Sequence, residues 1–120
     1  MKKILIVDDE PNIVMTLEYT FKKSNYEVFI ARDGQEALDI LKSNFPDVII
    51  LDIMMPMVDG FATLEQIRKD DNLQHTKVMF LSAKNKESDI ERGLALGADA
   101  YMTKPFSIKK VVEKVEELLL

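Results

Sequence analysis

Short apolar runs alternate along this chain with longer stretches in which apolar residues recur every three or four positions. Ile4-Leu5-Ile6-Val7, Val48-Ile49-Ile50-Leu51 and Val78-Met79-Phe80-Leu81 carry no polar side chain. A strand apolar on both faces is one covered on both faces, as in a parallel sheet lying between helices. The pattern predicts five strands, roughly Lys3 to Val7, Glu27 to Ala31, Asp47 to Leu51, Lys77 to Leu81 and Asp99 to Met102. Five helical patterns alternate strictly with them. The first opens at Asp9-Glu10-Pro11, where proline suits the first helical position and acids suit the positive end of the helix dipole. Its predicted inner face is Ile13, Leu17 and Phe21. The second helix, after Asp33-Gly34, buries Ala37, Leu38 and Leu41; the third, after Asp59-Gly60, buries Phe61, Leu64 and Ile67. The fourth, near Lys86 to Leu96, has the weakest stripe, Ile90 and Leu94, and Gly97 is placed to end it. So thin a stripe describes a loosely held element, the place for a movable surface. The fifth is the clearest, with Ile108, Val111, Val112, Val115, Leu118 and Leu119 at helical spacing behind a Ser107 cap. The expected fold class is α/β, a single five-stranded parallel sheet with five helices.

Length and composition narrow the function. The 120 residues suit one domain, expected to occupy 1–120, and 47% hydrophobic content is enough for a core. A net charge of -5 argues against general affinity for nucleic acid or an anionic membrane. With no cysteine, disulfides, thiolate catalysis and sulfur-ligated metals are excluded. The apolar run after Lys2-Lys3 is too short for a signal peptide's core, and no segment is long enough to span a bilayer, so a cytoplasmic protein is expected.

The candidate chemistry sits at the ends of the apolar runs. Asp8-Asp9 follow the first, Asp52 the third and Lys104 the fifth, while Ser82 ends the fourth. In an open α/β sheet the ligand crevice lies outside the carboxyl ends of the strands, so these residues converge. Taken alone, Asp8-Asp9 reads equally as a helix cap with a first-turn acid, and Ser82 as turn chemistry. Asp52 lies between a buried strand and the apolar Ile53-Met54-Met55-Pro56, where an isolated charge is costly. Three neighbouring carboxylates kept ionised call for a hard divalent cation. Lys104 opposite them supplies a point charge for a phosphoryl oxygen, and Pro105 after it permits a cis peptide bond. Together the set supports in-line phosphoryl transfer onto an aspartate, with Lys104 and Ser82 stabilising the transferred group. The glycines, scattered at 34, 60, 93 and 97, form no phosphate cradle, so nucleotide binding is not expected.

Across essentially its whole length the chain resembles the receiver domain of two-component response regulators. The segments that carry the likeness are Ile4-Leu5-Ile6-Val7-Asp8-Asp9-Glu10, Asp47 to Pro56, Leu81-Ser82-Ala83-Lys84 and Tyr101-Met102-Thr103-Lys104-Pro105-Phe106. The resemblance implies the flavodoxin-like strand order 2-1-3-4-5. It implies that Asp52 is the phosphoacceptor, served by a histidine kinase or a histidine phosphotransfer protein. Mg²⁺ would be held by Asp9, Asp52 and the backbone carbonyl of Met54, with Asp8 acting largely through water. Lys104 would grip the phosphoryl group, and Ser82 would move toward it. Tyr101 would then swing inward and remodel the face of helix four, strand five and helix five. From the residues alone, an ordinary aromatic on an edge strand is the lesser alternative for Tyr101. Met54 and Lys84, two positions beyond Asp52 and Ser82, would flank the path of an attacking water. An apolar Met54 offers that water no help, which implies a long-lived phosphoryl state.

The chain departs from the family pattern in places. Met57-Val58 stands where Gly-Met is often found, leaving two apolar residues that either pack back on the domain or mark a contact. Asp99-Ala100 and Lys109-Lys110 replace the acids that receivers of the winged-helix transcription-factor group use in their active dimer. A dimer formed on phosphorylation would therefore lack that group's salt bridges. The fifth helix finishes at Leu118-Leu119-Leu120, leaving open a single-domain regulator or one with an output domain or separate downstream protein. Two other classes compete. One is a phosphorylation-independent pseudo-receiver, against which the complete acidic set counts. The other is a haloacid-dehalogenase-type phosphohydrolase, whose second acid lies two residues after the first rather than next to it. His75 is read as an exposed loop residue, and the methionines mainly as adaptable core filler.

Overall fold

The computed structural model describes residues 1–120. The strands are β1 (Lys3–Val7), β2 (Glu27–Ala31), β3 (Val48–Leu51), β4 (Lys77–Ser82) and β5 (Ala100–Thr103). The helices are α1 (Pro11–Lys23), α2 (Gly34–Ile40), α3 (Gly60–Lys69), α4 (Glu87–Ala95) and α5 (Ile108–Leu118), with a 3-10 turn at Asp71–Leu73. All strands run parallel in the order β2-β1-β3-β4-β5. Strand boundaries differ from the predicted ones by at most one residue, the usual uncertainty of an element's end. Asp47 and Asp99 fall just outside the strands they were expected to open.

Alternation along the strands divides the core in two. Leu5, Val7, Ile49, Leu51, Val78 and Phe80 face Ala37 and Leu41 of the α2 segment and Phe61, Leu64 and Ile67 of α3. Ile4, Ile6, Val48, Ile50, Met79 and Leu81 face Leu17 and Phe21 of α1 and Val111 and Val115 of α5. The runs Ile4 to Val7, Val48 to Leu51 and Val78 to Leu81 of the three central strands are apolar because each must satisfy both layers.

Two helical faces differ from prediction. In α1 the buried set is Val14, Leu17 and Phe21, while Ile13 is only half-buried. Ile13 packs against the edge of the same core layer and also lines a cleft with Pro105 and Phe106, while Leu17 and Phe21 are buried as predicted. In α4 only Gly93 is buried; Leu94 is 46% exposed and Ile90 half-buried. The cause is the bulk beneath this helix. A Cβ on Gly93 would lie 3.0 Å from the Phe80 ring and 3.2 Å from that of Tyr101, so a larger residue there would have to push the rings aside by a few tenths of an ångström. Gly97 ends α4 as predicted, with φ +111°.

The sheet's β5 edge is tied down by one side chain. Arg68 donates to the carbonyls of Gly97 (3.0 Å) and Thr76 (3.0 Å) and pairs with Asp99 at 3.0 Å. Asp99 also accepts the Val78 N–H at 2.8 Å, so this acid is used within the molecule.

In the loop from β3 to α3 the two apolar residues Met57 and Val58 differ in burial. Val58 is half-buried, lying close enough to α2 that a Cβ on Gly34 would come within 2.9 Å of its own Cβ. Met57 is 86% exposed and has φ 67°, a left-handed conformation that L side chains resist. Met57→Gly should therefore raise the urea-unfolding free energy by about 0.5–1 kcal/mol, relief of backbone strain outweighing the extra freedom of the unfolded chain. An unchanged or lower midpoint would show that the turn carries no strain.

Candidate functional site

Every strand that reaches the crevice delivers its functional residue while still hydrogen-bonded to a neighbour. The Asp8 N–H donates to the Ala31 carbonyl at 3.1 Å, Asp52 to Val7 at 2.9 Å and Lys104 to Ser82 at 2.9 Å. These residues continue the ladder one step past the strand ends, so their backbones are as fixed as the sheet. Gly60, the first residue of α3, lies directly behind Asp52. A Cβ there would collide with the Asp52 carbonyl oxygen and come within 2.7 Å of Ile53 Cα, so only glycine lets α3 start so close to the acid.

Asp8, Asp9 and Asp52 each offer a carboxylate oxygen within 4.8 Å of the others. Asp8 and Asp52 are buried, and Asp9 is exposed at the crevice mouth. The Lys104 ammonium is 2.9 Å from Asp8 and 3.4 Å from Asp52, with its side chain 10% exposed. Its third acidic neighbour is Glu10, at 3.4 Å, rather than Asp9. This differs from the expectation of three aspartates around the lysine. The run Asp8-Asp9-Glu10 holds the signal, since Pro11 starts the helix immediately and turns alternate acids in different directions. The peptide bond Lys104-Pro105 is cis.

The three aspartates are engaged differently. Asp8 accepts the Glu10 N–H at 3.0 Å on one oxygen and holds Lys104 on the other. Asp52 accepts the Ile53 N–H at 2.7 Å on one oxygen and faces Lys104 with the other. Asp9 has no hydrogen bond or ion pair through its carboxylate, and the Met54 carbonyl accepts no hydrogen bond from the chain. The cluster is thus a set of hard oxygen donors with one aspartate carboxylate and one carbonyl free, which fits a divalent cation that prefers oxygen ligands.

Electrostatics point the same way. Burial pushes the Asp8 carboxyl above its usual range; the Glu10 N–H and Lys104 oppose the rise, and the charge of Asp52 adds to it. Burial alone would lower the Lys104 ammonium, but the hydrogen bond to Asp8 and the charges of Asp52, Asp8 and Glu10 together hold it above its ordinary value. One ammonium does not neutralise the cluster.

Ser82 is fully buried at the end of β4, and its Oγ accepts the Lys84 N–H at 3.3 Å. The Tyr101 hydroxyl donates to the Lys84 carbonyl at 2.8 Å, and its ring packs on Phe80 with centroids 5.7 Å apart. The backbone of Lys84 therefore joins Ser82 to Tyr101, a link that side-chain identity at position 84 does not reveal. Met54 is 55% exposed beside the cluster, and His75 is exposed, as expected.

The raised Asp8 carboxyl fixes the sign of a pH effect. The folded chain holds this proton more tightly than the unfolded chain. Its contribution to stability is complete below the ordinary value of 3.8 and is lost as pH rises through the raised value. At neutral pH without divalent cation, Asp8→Asn should therefore be more stable than the parent. That advantage should vanish below pH 3.8 and shrink when Mg²⁺ is added. Urea-unfolding midpoints across pH, in EDTA and in Mg²⁺, measure it; a less stable variant in EDTA at neutral pH would contradict the charge balance drawn here.

Comparison with known proteins agrees with this geometry. A family model, the response regulator receiver domain, matches residues 4–116. The alkaline phosphatase synthesis transcriptional regulatory protein PhoP of Bacillus subtilis is 45% identical over 118 residues, covering 98% of this chain and 48% of that protein. The chain thus spans about half the length of this curated relative. The chemotaxis response regulator CheY4 of Vibrio cholerae superposes with a TM-score of 0.93 at 31% identity, over 99% of each chain. The receiver domain of the Francisella response regulator 1452 superposes with a TM-score of 0.91 at 36% identity, over 99% of this chain and 97% of that one. Sequence, strand order and the acidic crevice lead to one family, and this chain belongs to it: it is a receiver domain of a two-component response regulator.

Proposed function

We propose that Asp52 is the phosphoacceptor of this signalling domain and that residues 1–120 act as one receiver unit. The observation that carries the reading is the setting of the Asp52 carboxylate. It is buried, fixed by the Ile53 N–H, faces Lys104 at 3.4 Å and shares a 4.8 Å cluster with Asp8 and Asp9. A carboxylate so placed is aligned for in-line attack on phosphorus, and Lys104 receives the oxygens of the incoming group. Ser82 supplies a hydroxyl to the same group once it releases the Lys84 N–H.

Asp9, Asp52 and the Met54 carbonyl would hold Mg²⁺, with Asp8 acting through water. The free carboxylate of Asp9 and the free carbonyl of Met54 support direct coordination by those two groups. Bound there, the ion would offset the carboxylates' charge and let an anionic donor approach. The domain assists its own phosphorylation and dephosphorylation and turns over no separate substrate. Its phosphodonor is a histidine kinase or a histidine phosphotransfer protein. The signal leaves through the face of α4, β5 and α5 to an output domain or a downstream protein, with a phosphorylation-dependent dimer as one form. The domain itself contacts neither nucleic acid nor membrane and works in the cytoplasm; no helix is long and apolar enough to cross a membrane.

Two experiments test this reading. Intact mass after incubation with Mg²⁺ and acetyl phosphate should show a single phosphate adduct on the wild type, absent from Asp52→Ala and abolished by EDTA. Failure to bind beryllofluoride with Mg²⁺, together with no adduct, would leave only a phosphorylation-independent binding module. The half-exposed Met54 and Lys84 side chains should govern the adduct's lifetime. Met54→Asn with Lys84→Glu should shorten it about tenfold, equivalent to lowering the hydrolysis barrier by roughly 1.4 kcal/mol. Equal decay rates would remove water access at these positions as the control.

A further inference from the structure

Glu10 occupies the N-cap position of α1 yet makes no side-chain capping bond. Its carboxylate reaches across the crevice to Lys104, 94 positions away in the sequence, at 3.4 Å. It is the outermost acid around that ammonium, with its side chain 56% exposed against 3% for Asp8 and 4% for Asp52. It lines a cleft of about 510 Å³ with Ile13, Ala83, Lys104, Pro105 and Phe106, open to solvent beside the buried acids. A donor phosphoryl group bound for Asp52 must approach Lys104, which lies 3.4 Å from both Asp52 and Glu10. Any such group competes with Glu10 for the ammonium and comes within a few ångströms of its carboxylate.

We propose that Glu10 is a positioning residue that selects phosphodonors by charge, restraining Lys104 at the crevice mouth and repelling free dianionic donors. The inference rests on Asp52 as the acceptor. With acetyl phosphate, a dianion at neutral pH, an Asp52 oxygen bonds to phosphorus as the P–O bond to acetate breaks and acetate leaves with the electron pair. With phosphoramidate, a zwitterion of net single negative charge, the P–N bond breaks and ammonia leaves on a nitrogen already protonated. The bond made is the same, and only the donor's net charge and leaving group differ. Glu10 acts on the first of these.

The test is the time course of phosphate adduct on the full chain in Mg²⁺, by intact mass, with each donor. Wild type, Glu10→Gln and Glu10→Asp are compared. Glu10→Gln should raise the ratio of acetyl phosphate rate to phosphoramidate rate roughly fivefold, the effect of one unit charge at short range in a partly solvated site. Glu10→Asp, which keeps the charge, should stay near the wild-type ratio. Added salt should raise the wild-type ratio more than that of Glu10→Gln. A partly misfolded preparation lowers both rates alike and leaves the ratio intact. An unchanged ratio in Glu10→Gln, or a fall, overturns the role of Glu10 while Asp52 remains the acceptor. No adduct on the wild type from either donor overturns both.

Discussion

The ammonium of Lys104 among the carboxylates of Asp8, Glu10 and Asp52 is the interaction on which the rest of the crevice depends. Two of its acidic neighbours, Asp8 and Asp52, are buried, and an unpaired buried carboxylate is among the costliest groups a fold can carry. Lys104 makes both tolerable, and in doing so it joins the edge strand β5 to the central strands β1 and β3 across the open end of the sheet. The pairing is deliberately incomplete in charge terms. One cation against the acids at positions 8, 9, 10 and 52 leaves a negative pocket, compatible with a divalent cation.

Much of this was readable in the chain because a parallel sheet writes itself plainly. Ile4 to Val7 and Val48 to Leu51 have no polar side chain, so each acid that follows marks the strand's end and the crevice level together. Strand order is another matter: here it followed from the family resemblance rather than from periodicity. What the pattern misplaced depends on contacts between distant segments. The inward side of α4 could not be read because it is set by close approach of Gly93 to Phe80 and Tyr101, residues distant in the chain, while Leu94 is exposed. Ile13 serves both the core edge and a cleft wall, a double role that apolarity alone does not reveal. Glu10 carries no local signal of its role, because its partner lies 94 positions away and the sequence shows only an acid before a proline.

The Lys84 backbone gives physical content to the idea of a switch. Ser82 accepts its N–H and Tyr101 donates to its carbonyl, so the hydroxyl nearest the acid cluster and the aromatic beneath α4 share one residue. Tyr101 is already docked on this loop in the unmodified chain. In the proposed switch, a shift of Ser82 toward an anion would give up its bond to Lys84, the residue that also supports the tyrosine hydroxyl. The shared residue offers a contiguous physical path between the two side chains.

The single buried glycine of α4 has an effect beyond the mechanics of one molecule. A helix that contributes no large side chain to the core is free of the packing constraints that hold α1, α3 and α5 to particular residues. Its outward positions can be exchanged for others without opening a cavity or straining the sheet, whereas the crevice, held by ladder bonds and ion pairs, tolerates almost no change. The domain is therefore divided into a part that must stay chemically fixed and a part free to acquire new partners. That division is what allows one phosphoryl chemistry to be reused behind many different recognition surfaces.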